Sequence, residues 1–361
     1  VGVAFGDRRV LQGVDLRAAP GTPPTLWGQF SDAREALVSA ARLLHERFTW
    51  AAACATGAVF WAPEHLLAEL LEQAARTAFA GEAPDAVLAT TLYLALGRLD
   101  TVRALWRRAL AHRDREKMLA FLANDFGADR WRVAAQKNAF ALLSQRRFAF
   151  AAAFFLLGGA PRDATNVCIR QLGDMHLAVA IARICGGDVL TRLVREHILP
   201  TAVARADRML ACWALHALGR EHDIPRMIVS PLAALIADES LGLTGADAPA
   251  SDVQDPSIAP LLEHARARGW STLDGALESR FVLHIARQLT LLGCPVVALA
   301  LVRGWRFTHA PAPHAPPAPT GPPNPADAPA APTRIGSLLG GPRAPPPAQS
   351  MQEFDMSAFG L

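Results

Sequence analysis

The chain has 361 residues, of which 51% are apolar, so it can bury a sizeable core in one long helical array or two ordinary domains. The formal net charge is only +3, and the arginines that supply nearly all the positive charge are scattered along the chain, with no glycine-rich or aromatic stretches between them. This composition argues against a protein that binds nucleic acid or an anionic membrane surface through its charge.

The cysteines form an odd set with wide spacings and mostly apolar neighbours, which predicts buried thiols in a reducing compartment. They are Cys54, Cys168, Cys185, Cys212 and Cys294. No signal peptide is recognisable, and the longest apolar stretches fall short of the roughly 20 residues that a membrane span needs. We therefore expect a soluble protein. Because the first residue is Val1 rather than methionine, we also expect an excerpt of a longer polypeptide.

The first part of the chain, residues 1–31, contains glycine and proline clusters without a sustained period, and we interpret it as a connector. From 32 to 231, apolar residues recur at spacings of three and four, as in amphipathic helices. Brief turn signals separate these helices, and almost no alternating β pattern occurs. The sequence therefore predicts an all-α fold, an irregular α-solenoid of stacked antiparallel helix pairs.

One segment, residues 148–157, is apolar all round and must therefore be covered on every side, which predicts a central helix. Glycines end it, and we expect Asp163 and Asp174 to begin the next two helices as N-caps. Asp100 is a similar candidate N-cap earlier in the chain. Capping explains these aspartates better than a catalytic role does.

The pattern changes after residue 231. Residues 232–256 lose the helical period, which predicts a loop insertion, and helices resume over 257–307. Residues 308–350 hold 14 of the 27 prolines and predict a disordered, polyproline-like linker. This linker follows the solenoid as a proline-rich tail.

The last residues, 351–361, form a short terminal motif with aromatic and acidic character. Its large apolar side chains, Phe354, Met356 and Phe359, have no local core to join. Docking on a partner or on the solenoid is one interpretation, and an inert chain end is the other.

The search for catalytic chemistry finds no glycine-rich phosphate loop, nucleophile elbow, His-Glu-x-x-His helix or Cys-x-x-Cys pair. His216 and His222, with Cys212 nearby, come closest to a set of metal ligands. The interval between the two histidines does not suit one helix face, so we expect ordinary core or surface histidines. The sequence predicts a protein that is not an enzyme and has no cofactor and no metal.

Two polar clusters leave alternatives open. The densest basic stretch, residues 103–117, also contains Asp114 and Glu116, so a solvated helix end is favoured over a phosphate-binding site. Lys137 and Asn138 lie among apolar residues, and burying them requires polar partners. A structural hydrogen-bond network is the favoured interpretation, with a binding role as the alternative.

A distinctive pattern runs through Phe121–Phe126, Arg130–Leu143, Arg147–Phe148 and Ala152–Leu157. Together these segments resemble the large subunit of the RAVE complex and its animal relatives, the DmX-like proteins or rabconnectins. The resemblance extends over residues 26–307, with its core at 88–218. The motif residues that it marks as structural are Asn124, Asp125, Phe126, Arg130, Trp131, Lys137, Asn138, Phe154 and Phe155.

The resemblance implies a non-catalytic scaffold that promotes assembly and reassembly of the vacuolar proton-transporting ATPase, and hence vacuolar and endosomal acidification. The implied partners are the peripheral ATP-hydrolysing sector of this pump and the other RAVE subunits, including the cullin-ligase adaptor, and no nucleic acid. The implied location is the cytoplasm, with peripheral recruitment to vacuolar and endosomal membranes only through partners. An α-solenoid subunit of a vesicle-coat or membrane-trafficking complex is the alternative, because such subunits share stacked helix pairs.

Overall fold

A computed structural model describes residues 26–45, 47–81, 83–238, 241–243, 256–270 and 273–306, and this part of the chain is helical without β-strands. The all-α solenoid prediction is confirmed. The α-helices are α1 Arg34–Leu43, α2 Trp50–Thr56, α3 Ala58–Trp61, α4 Glu64–Ala80, α5 Ala86–Ala95, α6 Leu99–Arg108, α7 Arg115–Leu122, α8 Asp129–Ser144, α9 Phe148–Leu157, α10 Pro161–Val167, α11 Met175–Cys185, α12 Val189–Leu193, α13 Leu199–Ala204, α14 Arg208–Ala217, α15 Ile224–Val229, α16 Leu232–Ile236, α17 Ala259–Ala267, α18 Gly275–Leu291 and α19 Pro295–Gly304.

Helices that follow each other in sequence pack side by side, most extensively α4 with α5, α8 with α9, and α18 with α19. Turns of π-helix, Cys168–Leu172 and Val194–Ile198, extend α10 and join α12 to α13. Neighbouring pairs then stack, because α9 also contacts α5 and α10, and α10 contacts α11. Among the described helices, none combines the length and apolar character that a membrane crossing requires.

Helix α9 is the centre of this array. Phe154 and Phe155 are each only 1% exposed, and the alanines before them are buried against α5, α8 and α10. The central-helix prediction is confirmed for this part of α9. The prediction that the helix is covered on every side is wrong for its first turn, where Ala149 is exposed and Phe150 is half-buried. The Arg147 guanidinium lies over the Phe150 ring at 4.5 Å, and the Trp106 ring of α6 lies 6.2 Å from it.

The end of α9 lies directly on the backbone of α8, and Gly158 makes this approach possible. A Cβ atom at Gly158 would lie 2.7 Å from the Gln136 Cγ atom and 3.0 Å from the Arg132 carbonyl oxygen. The Gln136 amide Nε2 also donates a hydrogen bond to the Gly158 carbonyl at 2.8 Å. Because glycine has no Cβ atom, Gly158 allows α8 and α9, the most extensively packed helix pair, to approach each other this closely.

Aspartate caps begin several helices. The Asp174 carboxylate accepts a hydrogen bond from the Leu177 amide at 2.9 Å, which confirms Asp174 as an N-cap. The same prediction is wrong for Asp100 and Asp163, because α6 begins at Leu99 and α10 at Pro161. Both aspartates lie inside the first turn, where their charge still interacts favourably with the helix dipole.

Short helices occur in two segments that were predicted to be irregular. Leu232 and Leu235 are buried on α16, at the start of the predicted loop insertion. Leu26 and Phe30 are buried on a 3₁₀ turn within the predicted connector. Periodicity over five residues is too short a signal to reveal these elements, whose apolar pairs are stabilised by tertiary contacts.

The prediction of buried thiols holds for only part of the cysteine set. Cys168 and Cys212 are buried, and burial raises the pKa of both thiols. Cys54 is half-buried. The prediction is wrong for Cys185 and Cys294, which are exposed because they lie at the end of α11 and in the turn before α19.

Candidate interaction surface

The first family-motif residues build the turn between α7 and α8. The Asn124 Nδ2 atom donates to the Phe121 carbonyl at 2.9 Å, and the Asp125 carboxylate accepts from the Gly127 amide at 2.9 Å. Phe126 is buried, with its ring centroid 5.4 Å from that of Phe121. These three motif residues therefore fix the direction in which the chain enters α8.

Arg103, on α6, closes the other side of this turn. Its guanidinium donates from Nε to the Leu122 carbonyl at 2.9 Å and from Nη2 to the Asn124 carbonyl at 3.1 Å. The last carbonyl groups of a helix have no partners in its own backbone. At the end of α7, the Arg103 guanidinium supplies the missing hydrogen-bond donors. The sequence reading placed Arg103 in a solvated basic stretch, and only the tertiary structure reveals its capping role.

The aromatic motif residues form one cluster around Phe121. Its ring stacks on Phe154 at 5.3 Å and meets Trp131 edge-on at 6.4 Å. The Arg130 guanidinium lies over the Trp131 ring at 5.2 Å. Trp131 and Phe154 thus join α7, α8 and α9, whereas Arg130 is exposed at the edge of the cluster.

The two neighbouring polar motif residues have opposite environments. Asn138 is buried, as predicted, but its Nδ2 atom has no hydrogen-bond acceptor within the described residues. The predicted burial of Lys137 is wrong, because one residue along a helix turns the side chain to another face, and Lys137 is exposed. Among the described residues, the expected polar network around this pair therefore does not form.

Lys137 belongs instead to an outward stripe that we call the α8 face: Arg130, Val133, Lys137 and Phe140. Their spacing of three and four residues places them along one side of the helix. Val133 is 43% and Phe140 60% exposed, although the Phe140 ring meets Phe155 edge-on at 5.0 Å. Neither basic residue forms an ion pair with a described residue. The α8 face is a mixed apolar and basic surface that sequence periodicity did not single out.

A second basic region lies where α4, α5 and α6 meet, around a groove of about 400 Å³. Arg76 and Arg108 line its rim, and Phe79 and Tyr93 its wall. Arg76 already pairs with Glu72 at 2.5 Å. Burial raises the pKa of Tyr93, and the nearby Arg76 charge opposes this effect. With one of its two arginines already paired, this groove matches the solvated-helix interpretation better than a phosphate site.

The residues that came closest to metal ligands are separately engaged. The His216 Nδ1 atom lies 3.3 Å from the Glu221 carboxylate, and the His222 Nε2 atom 3.4 Å from the Asp223 carboxylate. Cys212 is buried in α14. Across the described ranges, no three histidine, cysteine or acidic side chains converge as metal ligands would.

His216 and His264 instead pack in an aromatic cluster with Phe30 and Trp270. Burial lowers the pKa of both histidines, and the Arg268 charge lowers them further, against an opposing effect of Glu221 on His216. The two histidines therefore bind protons more readily in the unfolded chain than in the folded chain. They contribute to the stability of the folded chain at a pH above the ordinary histidine pKa, and this contribution is lost as the pH falls below that value.

We expect the melting temperature to drop between about pH 7.5 and about pH 5.5, and to drop less in the double variant His216→Gln/His264→Gln. Differential scanning fluorimetry across this range measures both drops. Each protein is compared with itself at two pH values, so the packing that the variant loses at every pH does not affect the comparison. An equal drop in the two proteins would show that other groups govern acid stability.

Residues 307–361 lie outside the described part of the chain, and with them the predicted docking residues Phe354, Met356 and Phe359. The described motif residues differ in exposure. Phe126, Asn138, Phe154 and Phe155 are buried and Asn124 and Trp131 half-buried, whereas Asp125, Arg130 and Lys137 are exposed. Because Arg130 and Lys137 belong to the α8 face, this face is a candidate surface for a partner.

Comparison with known proteins assigns the chain to a family. A family model described as RAVE protein 1 C terminal matches residues 23–301. A protein of Schizosaccharomyces pombe named regulator of V-ATPase in vacuolar membrane protein 1 is 33% identical over 79% of this chain and 24% of its own length. Its namesake in Saccharomyces cerevisiae is 30% identical over 78% of the chain and 21% of its own length.

An animal relative matches a shorter part of the chain. The DmX-like protein 1 of Mus musculus is 39% identical over 38% of this chain and 4% of its own length. The chain thus spans about a quarter or less of the curated relatives it matches. Because the family model covers the described helices from the 3₁₀ turn at Leu26–Phe30 into α19, the chain belongs to the RAVE protein 1 C-terminal family.

Proposed function

We propose that this chain is a non-catalytic scaffold of the RAVE complex that promotes assembly of the vacuolar proton-transporting ATPase, and so supports vacuolar and endosomal acidification. The family match over residues 23–301 carries this proposal, together with the relatives that are named regulators of V-ATPase. The mechanism is binding: a scaffold that holds two pieces of the pump at once raises their effective concentration for each other.

The proposed partners are the peripheral ATP-hydrolysing sector of the pump and the other RAVE subunits, including the cullin-ligase adaptor. We assign pump contact to the α8 face, because Phe140 offers an exposed aromatic anchor beside two unpaired positive charges. Phe354, Met356 and Phe359 are a second proposed contact. The scaffold acts in the cytoplasm and reaches vacuolar and endosomal membranes only through these partners.

The test is affinity capture of the tagged full chain from cytosol that contains detached pump sectors, with mass spectrometry of the retained proteins. We expect peripheral-sector subunits with the wild-type chain and about tenfold fewer with Phe140→Asp, because a buried aromatic anchor contributes more than 1 kcal/mol to an interface. Leu43→Asp is the matched control, since Leu43 is 87% exposed on α1 and lies outside the α8 face.

The experiment tests the pump assignment and the α8-face assignment separately. Retention of coat or trafficking subunits without pump subunits would overturn the pump assignment. Equal recovery of peripheral-sector subunits with the wild-type chain and Phe140→Asp would move the contact away from the α8 face. Both variants should melt at the wild-type temperature to within a few degrees, because surface substitutions usually change stability by about 0.5 kcal/mol or less.

A further inference from the structure

The last described helix, α19, is apolar on all sides and yet largely exposed. Arg303 is its only charged residue, and Ala298 its only buried one. Its single packed side lies against α18. A helix that is apolar all round is normally covered on all sides, so α19 has the composition of a buried helix in an exposed position.

The exposed apolar side chains continue from α19 onto α18. Four of them surround the turn between the two helices, and two extend along the helices. We call this set the α18–α19 face: Leu283, Leu291, Leu292, Val296, Val297 and Leu299. Exposed apolar side chains grouped around one turn are typical of interaction sites on soluble proteins.

The two helices are firmly held, so the face is preorganised. The Glu278 carboxylate, which is almost fully buried, pairs with the Arg266 guanidinium at 2.8 Å and accepts from the Trp305 indole at 3.0 Å. These contacts fix the start of α18 to α17 and to the residue that follows α19. A rigid apolar face loses little conformational entropy when it is covered by a partner.

The charge on this surface has one sign. The sequence between Leu283 and Arg306 contains no acidic residue. Arg287 and Arg303 are exposed and form no ion pair with any residue in the described ranges. Two unpaired positive charges beside exposed leucines and valines complement a partner that places carboxylates next to apolar side chains.

We propose that the α18–α19 face binds an amphipathic helix of another protein, with leucine-type side chains on one face and aspartate or glutamate beside them. A helix presents such side chains at spacings of three, four and seven residues, which matches an apolar face on a helix pair. This inference stands independently of pump assembly, since it concerns a different surface from the α8 face.

The charges and side chains disfavour a second copy of the chain and a lipid surface as occupants. A second copy paired through the same face would set two surfaces of the same charge against each other, because both carry Arg287 and Arg303, and like charges repel. A lipid surface is normally anchored by interfacial tryptophan or tyrosine, and within these two helices the exposed residues include neither.

The test is photo-crosslinking in cells that carry the full chain with p-benzoylphenylalanine at Val296. The same group at Leu110 is the matched control, because both side chains are 78% exposed. We expect the group at position 296, and not that at 110, to form an adduct with an acidic amphipathic helix of another protein, identified by sequencing the crosslinked peptide. The double variant Arg287→Glu/Arg303→Glu should lower the yield about tenfold, as expected for losing charge pairs at an interface.

An adduct with another copy or another part of this chain, with a phospholipid, or with a peptide that lacks acidic residues would overturn the proposal. So would the absence of any adduct at position 296, or a yield that does not respond to the charge reversal. Melting curves of the arginine variant control for folding, and both arginines are exposed. Loss of pump subunits from the capture experiment would leave this result unchanged, so the two proposals fail independently.

Discussion

Replacing Phe155 with aspartate is expected to unfold the helical array. Phe155 is 1% exposed at the centre of α9, and removing a buried phenylalanine ring costs about 3–5 kcal/mol. The new carboxylate adds several kcal/mol, because it loses its hydration in this apolar environment. The sum is similar to the total stability of a typical domain, about 5–15 kcal/mol. We therefore expect loss of the cooperative folded state rather than a local change.

Phe140→Asp is the natural control for this experiment. Phe140 and Phe155 belong to the same edge-on ring pair, so both variants lose the same aromatic contact. Phe140 is 60% exposed, however, and a carboxylate at that position stays in water. Thermal melting followed by circular dichroism should show no cooperative transition for Phe155→Asp and a shift of only a few degrees for Phe140→Asp. An unchanged melting curve for Phe155→Asp would contradict the central position of α9.

The elements that sequence alone predicts here are those with a strong local signal. The run 148–157 has no polar face, which predicts a covered helix, and from Ala151 onwards the structure places it between α5, α8 and α10. Asp174 follows a glycine and precedes an apolar stripe, and it caps α11. In both cases, the physical cause lies within about ten residues of chain, which is the range that periodicity and capping rules describe.

The candidate surface was less predictable, because α8 is only weakly amphipathic. Alanine and other apolar residues occur around most of its circumference, so the pattern does not decide which side faces water. The local pattern therefore predicts a buried Lys137 and does not reveal that Phe140 is exposed. What orients α8 is its contact with α9, including the close approach at Gly158, and no local rule contains that information.

Long-range capping is the other feature that sequence patterns miss. Helix α3 ends deep in the array, and its last carbonyl groups need donors from elsewhere. Arg183, on α11, donates to the Val59 carbonyl at 2.8 Å and to the Ala62 carbonyl at 2.6 Å. The Trp213 indole, on α14, donates to the Phe60 carbonyl at 3.1 Å. More than a hundred residues separate each donor from its acceptor.

Replacing Arg183 with methionine is expected to destabilise the chain by about 2–4 kcal/mol, because it removes two charge-assisted hydrogen bonds and leaves both carbonyls without a donor. Burial lowers the pKa of Arg183 to about 10, so the guanidinium still carries its charge at neutral pH, at a desolvation cost. Methionine relieves that cost. The unpaired carbonyls remain buried, however, and we expect their penalty to exceed the relief.

Urea unfolding at neutral pH measures this difference, and two further variants make it specific. Arg183→Lys should be intermediate, because an ammonium group keeps the charge but cannot reproduce the fork geometry that reaches both carbonyls. Arg192→Met removes an exposed arginine that pairs with Asp188, and it should cost less than about 1 kcal/mol. Amide hydrogen exchange in α3 should accelerate in Arg183→Met alone. If Arg183→Met were as stable as Arg192→Met, desolvation relief would outweigh the lost bonds, and the long-range cap would not stabilise the array.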